Sequence, residues 1–223
     1  MTGYDWDFAT VWQYRALLAT AGLVTLQLIV LTMLVGISVG FLLALVRLAK
    51  RRIFSISAMW LVEFLRAVPP LVLLILVYYC IPILLDVRLS GFQTGVLALG
   101  IYSAAFYAEI FRAGIQSIEK GQIEAGMAVG MTNGQIMRRI VVPVAFMRIF
   151  PPFISQGALV IKNTVLVSAI AVGELLYEGQ RLSIHTFRPL EILTVIALIF
   201  IAIIMPLTLS ANALESRIRS RYS

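Results

Sequence analysis

Residues 17–46 carry no charged side chain over thirty consecutive positions. As a helix rising ~1.5 Å per residue, such a run is longer than the ~30 Å hydrocarbon core of a bilayer. It must tilt or project from the membrane. Four further apolar stretches approach spanning length, at residues 56–85, 92–112, 149–171 and 192–214. Backbone in lipid has to satisfy its own N–H and C=O groups, which leaves helices or a closed barrel. The runs are continuous rather than alternating, so helices are expected. Hydrophobic residues make up 61% of the 223, above the roughly 45–50% of soluble domains. The sequence predicts an all-α polytopic membrane protein with about five transmembrane helices in one domain, residues 1–223.

The net charge of +7 would suggest a nucleic-acid partner in a soluble chain. Here the excess lies beside the spans, so no nucleic-acid partner is expected. With five spans, one side holds twelve basic residues: Arg47, Lys50, Arg51 and Arg52, then Arg112, Lys120, Arg138, Arg139 and Arg148, then Arg217, Arg219 and Arg221. The other side holds four: Arg15, Arg88, Arg181 and Arg188. Arg66 and Lys162 fall within spans. By the positive-inside rule the C-terminus faces the cytoplasm and the N-terminus faces outward. Residues 1–15 lack a basic region before a short apolar one, so the first span is expected to act as its own insertion signal. Cys80 is the only cysteine and His185 the only histidine. Neither a disulfide framework nor a metal site is expected.

Between the third and fourth spans lies a loop of residues 113–148, with a polar, glycine-spaced core at 119–143. Residues 123–129 and 135–142 read as two short helices, with Thr132-Asn133-Gly134 as a stop and restart between them. Gly126 and Gly130 lie four apart and are expected on one face, with Ala125 and Ala128 beside them. Such a face admits another backbone closely. Glu124 is placed near the first helix's N-terminus, where a carboxylate favours the macrodipole and accepts from a partner's Arg. Pro143 is expected to end the second helix before the membrane. The competing reading is an amphipathic hairpin lying on the lipid surface, which would present Leu, Phe or Trp rather than small residues.

Glu124-Ala125-Gly126, Gly130, Ile140 and Pro143 resemble the EAA signature of inner-membrane permease subunits of bacterial ABC importers. That signature runs Glu-Ala-Ala, three residues, Gly, nine residues, then Ile-x-Leu-Pro. Gly126 stands for the second Ala and Val142 for the Leu. Residues 107–115, YAEIFRAGI, and 64–69, FLRAVP, resemble the polar amino acid uptake subfamily, as do Lys120-Gly121-Gln122, Lys162-Asn163-Thr164, Gly173-Glu174-Leu175 and 186–189, TFRP. Asn163 stands where members often carry Asp, and Val144 where Gln is common. The resemblance implies a type I ABC importer permease fold with a cytoplasmic coupling helix. It implies a bacterial inner-membrane location and an ABC ATPase dimer that holds ATP and Mg. Its other implied partners are a second permease subunit, identical or homologous, an extracytoplasmic amino acid-binding protein, and membrane lipid.

No GxxxxGK[ST] sequence occurs, so no P-loop is read in this chain. A transport subunit that is not itself an enzyme is expected. Pro69-Pro70 should break or kink the second span, as a gate wall or as an ordinary kink. Lys162 and Asn163 fall deep in the fourth span, where a lysine costs at least ~2.5 kcal/mol on insertion scales. Together with Thr164 and Pro69 they are the candidate substrate path. Alternatively Lys162 pairs with Glu174 or the facing subunit. Glu63–Arg66 and Glu109–Arg112 have the three-residue spacing of structural ion pairs. Two other classes fit less of this pattern. A secondary carrier would need an intramembrane acid relay. A non-transporting scaffold would need the hairpin but neither the broken span nor Lys162-Asn163.

Overall fold

The computed structural model describes residues 4–222, with side chains over residues 4–210. In chain order the helices are α1 (Ala9–Gln13), α2 (Arg15–Arg47), α3 (Arg52–Ala67), α4 (Pro70–Leu85), α5 (Gly91–Gln116) and α6 (Lys120–Ala128). There follow α7 (Asn133–Ile136), α8 (Val142–Asn163), α9 (Leu175–Thr186) and α10 (Pro189–Tyr222). A π-helical turn, Met137–Val141, joins α7 to α8, and a 3₁₀ stretch, Thr164–Ile170, extends α8. No strand occurs among the described residues. Four segments are long and apolar enough to span a membrane, and α3 with α4 makes a fifth if the broken pair counts as one span.

Three local expectations need correction, whereas the break expected at Pro69-Pro70 is present and divides the stretch 56–85 between α3 and α4. Pro69 sits at φ −58°, ψ 137°, and Pro70 occupies the first position of α4. Each proline disfavours helical backbone in the residue before it, and Pro at N1 is preorganised to start anew. The second hairpin helix does not end at Pro143; it runs on through the π turn into α8. Pro143 has no N–H for the carbonyl four residues back. The wider register is set just before it, where the Val142 N–H donates to the Met137 carbonyl five residues back. The fourth span leaves α-geometry at Thr164 and stops at Ala171, which is left-handed at φ 57°. Finally, the polar connection 173–189 contains a helix, α9. Glu174 caps it by accepting from the backbone N–H of Leu176 and Tyr177 at 3.0 and 2.7 Å.

Packing divides the chain into two compact units. The first comprises the chain up to Val35, Val68–Gly100 and Leu159–Pro206. One of its cores joins Leu28, Leu74, Leu99 and Val167. Another joins Leu18, Leu175, Leu182 and Ile192. The N-terminal segment is latched onto the start of α10. Tyr4 Oη donates to Glu191 Oε2 at 2.7 Å, the Asp7 N–H donates to Glu191 Oε1 at 3.0 Å, and Arg188 donates to the Asp5 carbonyl at 2.6 Å. Glu191 is fully buried by these contacts.

The second unit comprises Gly36–Ala67, Ile101–Ala158 and the chain from Leu207 onward. It contains the polar hairpin and its two legs, α5 and α8. Close approach is written into its glycines. A Cβ at Gly40 would lie 2.8 Å from the Ala104 carbonyl, and one at Gly114 would lie 2.1 Å from Ile149 Cγ1.

Candidate docking hairpin and membrane path

The hairpin is a small folded module. Helix α6 ends at Val129 with two reversed bonds, from Gly130 N–H to the Met127 carbonyl and from Met131 N–H to the Gly126 carbonyl, each 3.0 Å. That pattern is a Schellman cap, and Gly130 supplies its left-handed residue at φ +76°. Helix α7 restarts with a capping box: Gln135 N–H donates to Thr132 Oγ1, and Thr132 N–H donates to Gln135 Oε1.

Inside the turn, Gly126 is buried against the side chains of Ile136 and Ile140; an added Cβ would sit 3.0 Å from Ile140 Cδ1 and 3.1 Å from Ile136 Cγ1. Gly126 therefore packs inside the hairpin and shares no outward helix face with Gly130. Gly130 lies beyond the end of α6. Glu124 is also not at the helix N-terminus, because α6 begins at Lys120, one turn earlier than the sequence suggests.

What remains outward is Glu124 and Ala125, both exposed, with Met127 and Val129 at 54% and 77% exposure. Two exposed apolar side chains beside a carboxylate, on a loop between spans, make a surface suited to a protein partner. The sequence reading missed Met127 and Val129. Only the folded turn shows which side of α6 faces inward, so residue types alone did not reveal them. Pro143 is exposed at the first turn of α8, and Arg138 and Arg139 are exposed on the π turn.

The base of the hairpin is pinned by charge. Glu109 on α5 bonds to Arg112 and also to Arg47 at the end of α2. Arg112 continues to Gln116, and Arg148 on α8 donates to the Ser117 carbonyl at the end of α5. Arg47 was not foreseen as the third member. Its side chain is only 9% exposed, so this cluster resists disruption: removing one partner of a desolvated ionic group leaves the other uncompensated. Glu63 and Arg66 pair at 3.1 Å on exposed surface, and Arg66 also lies over the Phe106 ring at 5.5 Å. Tyr107 is fully buried, and its hydroxyl has no hydrogen-bond partner among the described residues.

The candidate path residues are dispersed in character. Lys162 is exposed in the last turn of α8 and makes no ion pair with the described side chains; Glu174 is occupied as the α9 cap. Asn163 is half-buried where α-geometry gives way to 3₁₀. Thr164 is buried, and its hydroxyl donates to the Ile161 carbonyl at 2.7 Å. Pro69 is exposed at the break between α3 and α4. No cluster of three metal-ligating side chains occurs among the described residues.

Comparison with known proteins gives a consistent result. The family described as "Binding-protein-dependent transport system inner membrane component" matches residues 36–220. The arginine transport system permease protein ArtQ of Bacillus subtilis is 32% identical over 197 residues, covering 88% of this chain and 90% of ArtQ. The glutamine transport system permease protein GlnP of Escherichia coli is 32% identical over 216 residues, covering 96% and 99%. Among solved structures, an amino acid ABC transporter crystallised with histidines superposes with a TM-score of 0.85 at 29% identity, covering 96% of this chain and 100% of that one. The MetNI methionine ABC transporter shares the fold, with a TM-score of 0.69 at 20% identity over 92% and 98%.

Proposed function

Because the chain belongs to the family of binding-protein-dependent transport system inner membrane components, we propose that it is the permease subunit of an ATP-driven bacterial importer of polar amino acids or amino-acid-derived solutes. Its location is the inner membrane, with the N-terminus outside and the C-terminus in the cytoplasm. Partner chains bind ATP and Mg and hydrolyse the nucleotide. A second permease, identical or homologous, completes the pathway, and an extracytoplasmic binding protein delivers the solute. The substrate class rests on the likeness to ArtQ, GlnP and the amino acid transporter structure.

One observation carries the mechanism: the hairpin is internally closed around Gly126, Ile136 and Ile140, while Glu124, Ala125, Met127 and Val129 are left outside. A module with its own core and caps moves as a body. Its legs are α5 and α8, which interlock where Ile149 fills the space beside Gly114. Arg148 ties the same two helices through Ser117. Displacement of the hairpin by an ATPase subunit is therefore transmitted into both spans rather than absorbed by a loose loop. ATP-driven closure biases the permease pair toward outward-open, and hydrolysis returns it. Lys162 and Asn163 stand at the α-to-3₁₀ transition, a geometry often found at hinges. In this reading they meet the solute's charged and amide groups, Thr164 holds the turn, and the break at Pro69 forms a wall of the path.

The test is ATP hydrolysis by the complex co-purified with its ATPase partner in lipid, with and without the binding protein and a panel of amino acids. Stimulation by a polar amino acid, abolished by Glu124→Lys, is expected. A complex with no co-purifying ATPase and no stimulation would refute the importer reading.

A further inference from the structure

The first unit contains a long apolar groove lined by none of the proposed path residues. Its volume is about 620 Å³, and it runs along α2 from Arg15 past Gly22 to Leu26, with Ile199 and Ile203 of α10 as the opposite wall. Gly22 leaves the floor open, since a Cβ there would meet nothing within 4 Å. Eleven helical rises of ~1.5 Å separate Arg15 from Leu26, about 16 Å, which is close to half of a ~30 Å hydrocarbon core. The groove is thus one leaflet deep.

Its mouth is cationic and aromatic. Arg15 lies over the Trp12 ring at 4.8 Å and donates to the Trp12 carbonyl at 3.1 Å. No acidic residue stands in the first turn of α2, and Arg15 has no ion pair among the described residues. A cation at a helix N-terminus faces the positive end of the macrodipole, so an anion bound there is favoured twice. Trp6, Phe8 and Trp12 are all exposed beside it, as expected of side chains seated at a membrane interface.

We propose that this groove is a binding site for one anionic phospholipid of the outer leaflet, with an acyl chain along Gly22 and its phosphate on Arg15. Charge argues for this occupant: a cation without an ion pair stands at the mouth above apolar walls, the pattern of a phosphate over an acyl chain. The inference goes beyond the importer reading and rests on its proposed orientation, with the N-terminus outside.

The test is native mass spectrometry of the purified complex titrated with dioleoyl-phosphatidylglycerol and, in parallel, dioleoyl-phosphatidylcholine. The wild type is expected to retain phosphatidylglycerol about tenfold more tightly than phosphatidylcholine, whose choline cation offsets the phosphate charge beside Arg15. Arg15→Gln should remove that preference, weakening phosphatidylglycerol more than phosphatidylcholine. Gly22→Phe, which fills the groove, should lose both lipids. Arg88→Gln, an exposed cation outside the groove, should behave as wild type. Retained preference in Arg15→Gln, or retained lipid in Gly22→Phe, overturns the assignment. So does a wild type that retains no lipid while Leu23→Cys, in a Cys80→Ser background, oxidises to a dimer.

Discussion

Replacing Gly130 with Ala tests whether the hairpin is a capped module. Gly130 closes α6 at φ +76°, and an added Cβ would meet no atom within 4 Å. Tertiary clash is therefore absent, and the effect is confined to the backbone. Left-handed geometry costs a non-glycine residue ~1–2 kcal/mol. The reduced entropy of the unfolded chain returns ~0.4–1 kcal/mol. The net is a local destabilisation of about 1 kcal/mol, or about fivefold in the opening equilibrium. The amides of Gly130 and Met131 donate the two Schellman bonds, so they report that equilibrium. Hydrogen-exchange mass spectrometry should show about fivefold faster exchange in peptides covering residues 126–136, with the spans unchanged. Gly130→Asn should do less harm, because Asn tolerates left-handed geometry better. Unchanged exchange in the Ala variant, equal damage from Asn, or loss spread over the whole chain would refute the reasoning.

Three further outcomes follow from other contacts. Glu109→Ala strands Arg47, whose side chain is 9% exposed, and should destabilise the purified chain by ~3 kcal/mol. Glu63→Ala removes an exposed pair and should stay within ~0.5 kcal/mol; similar melting shifts for the two would contradict this account. Tyr107→Phe removes a buried hydroxyl with no described partner, so melting should be unchanged or improved by up to ~1 kcal/mol; a clear loss would reveal a partner. Burial raises the Glu174 carboxyl above its usual range, against the backbone N–H groups of Leu176 and Tyr177. The folded chain then holds that proton more tightly than the unfolded chain does. Stability should fall as pH rises from the ordinary carboxylate value through the raised one, then level off. Glu174→Gln should abolish that slope in a melting series across the same range, and an unchanged slope would assign it elsewhere.

The membrane class and the helical class were legible because continuous apolar runs leave few alternatives in lipid. Residues 17–46 fall inside α2, and 92–112 inside α5. The break at Pro69-Pro70 was also legible, since proline chemistry is local. The hairpin's location and its Thr132 restart could be read from turn residues. Its polarity could not. Gly126 looked outward-facing because small residues suit a docking surface, yet the same smallness is required to admit Ile136 and Ile140 from fourteen or fewer positions away. Only the closed turn decides between the two. The π turn escaped for a similar reason: Pro143 forbids one hydrogen bond, and a register change is invisible in the residue types. Helix α9 was hidden by its polar composition, although Leu175, Gly179, Leu182 and Ser183 bury one face at helical spacing. Arg47 joined Glu109 from sixty-two residues away, beyond any local spacing rule.

In the proposed complex the outward face of α6 meets an ATPase subunit. The most direct measurement is cysteine cross-linking in the co-purified complex, in a Cys80→Ser background, with Ala125→Cys on that face and Arg88→Cys, just before the start of α5, as control. The account predicts that a short bifunctional maleimide, with one reactive cysteine placed in the facing ATPase surface, joins position 125 to the ATPase chain and leaves position 88 unlinked. An assembled complex in which position 125 stays unlinked, wherever the ATPase cysteine is placed, would contradict it.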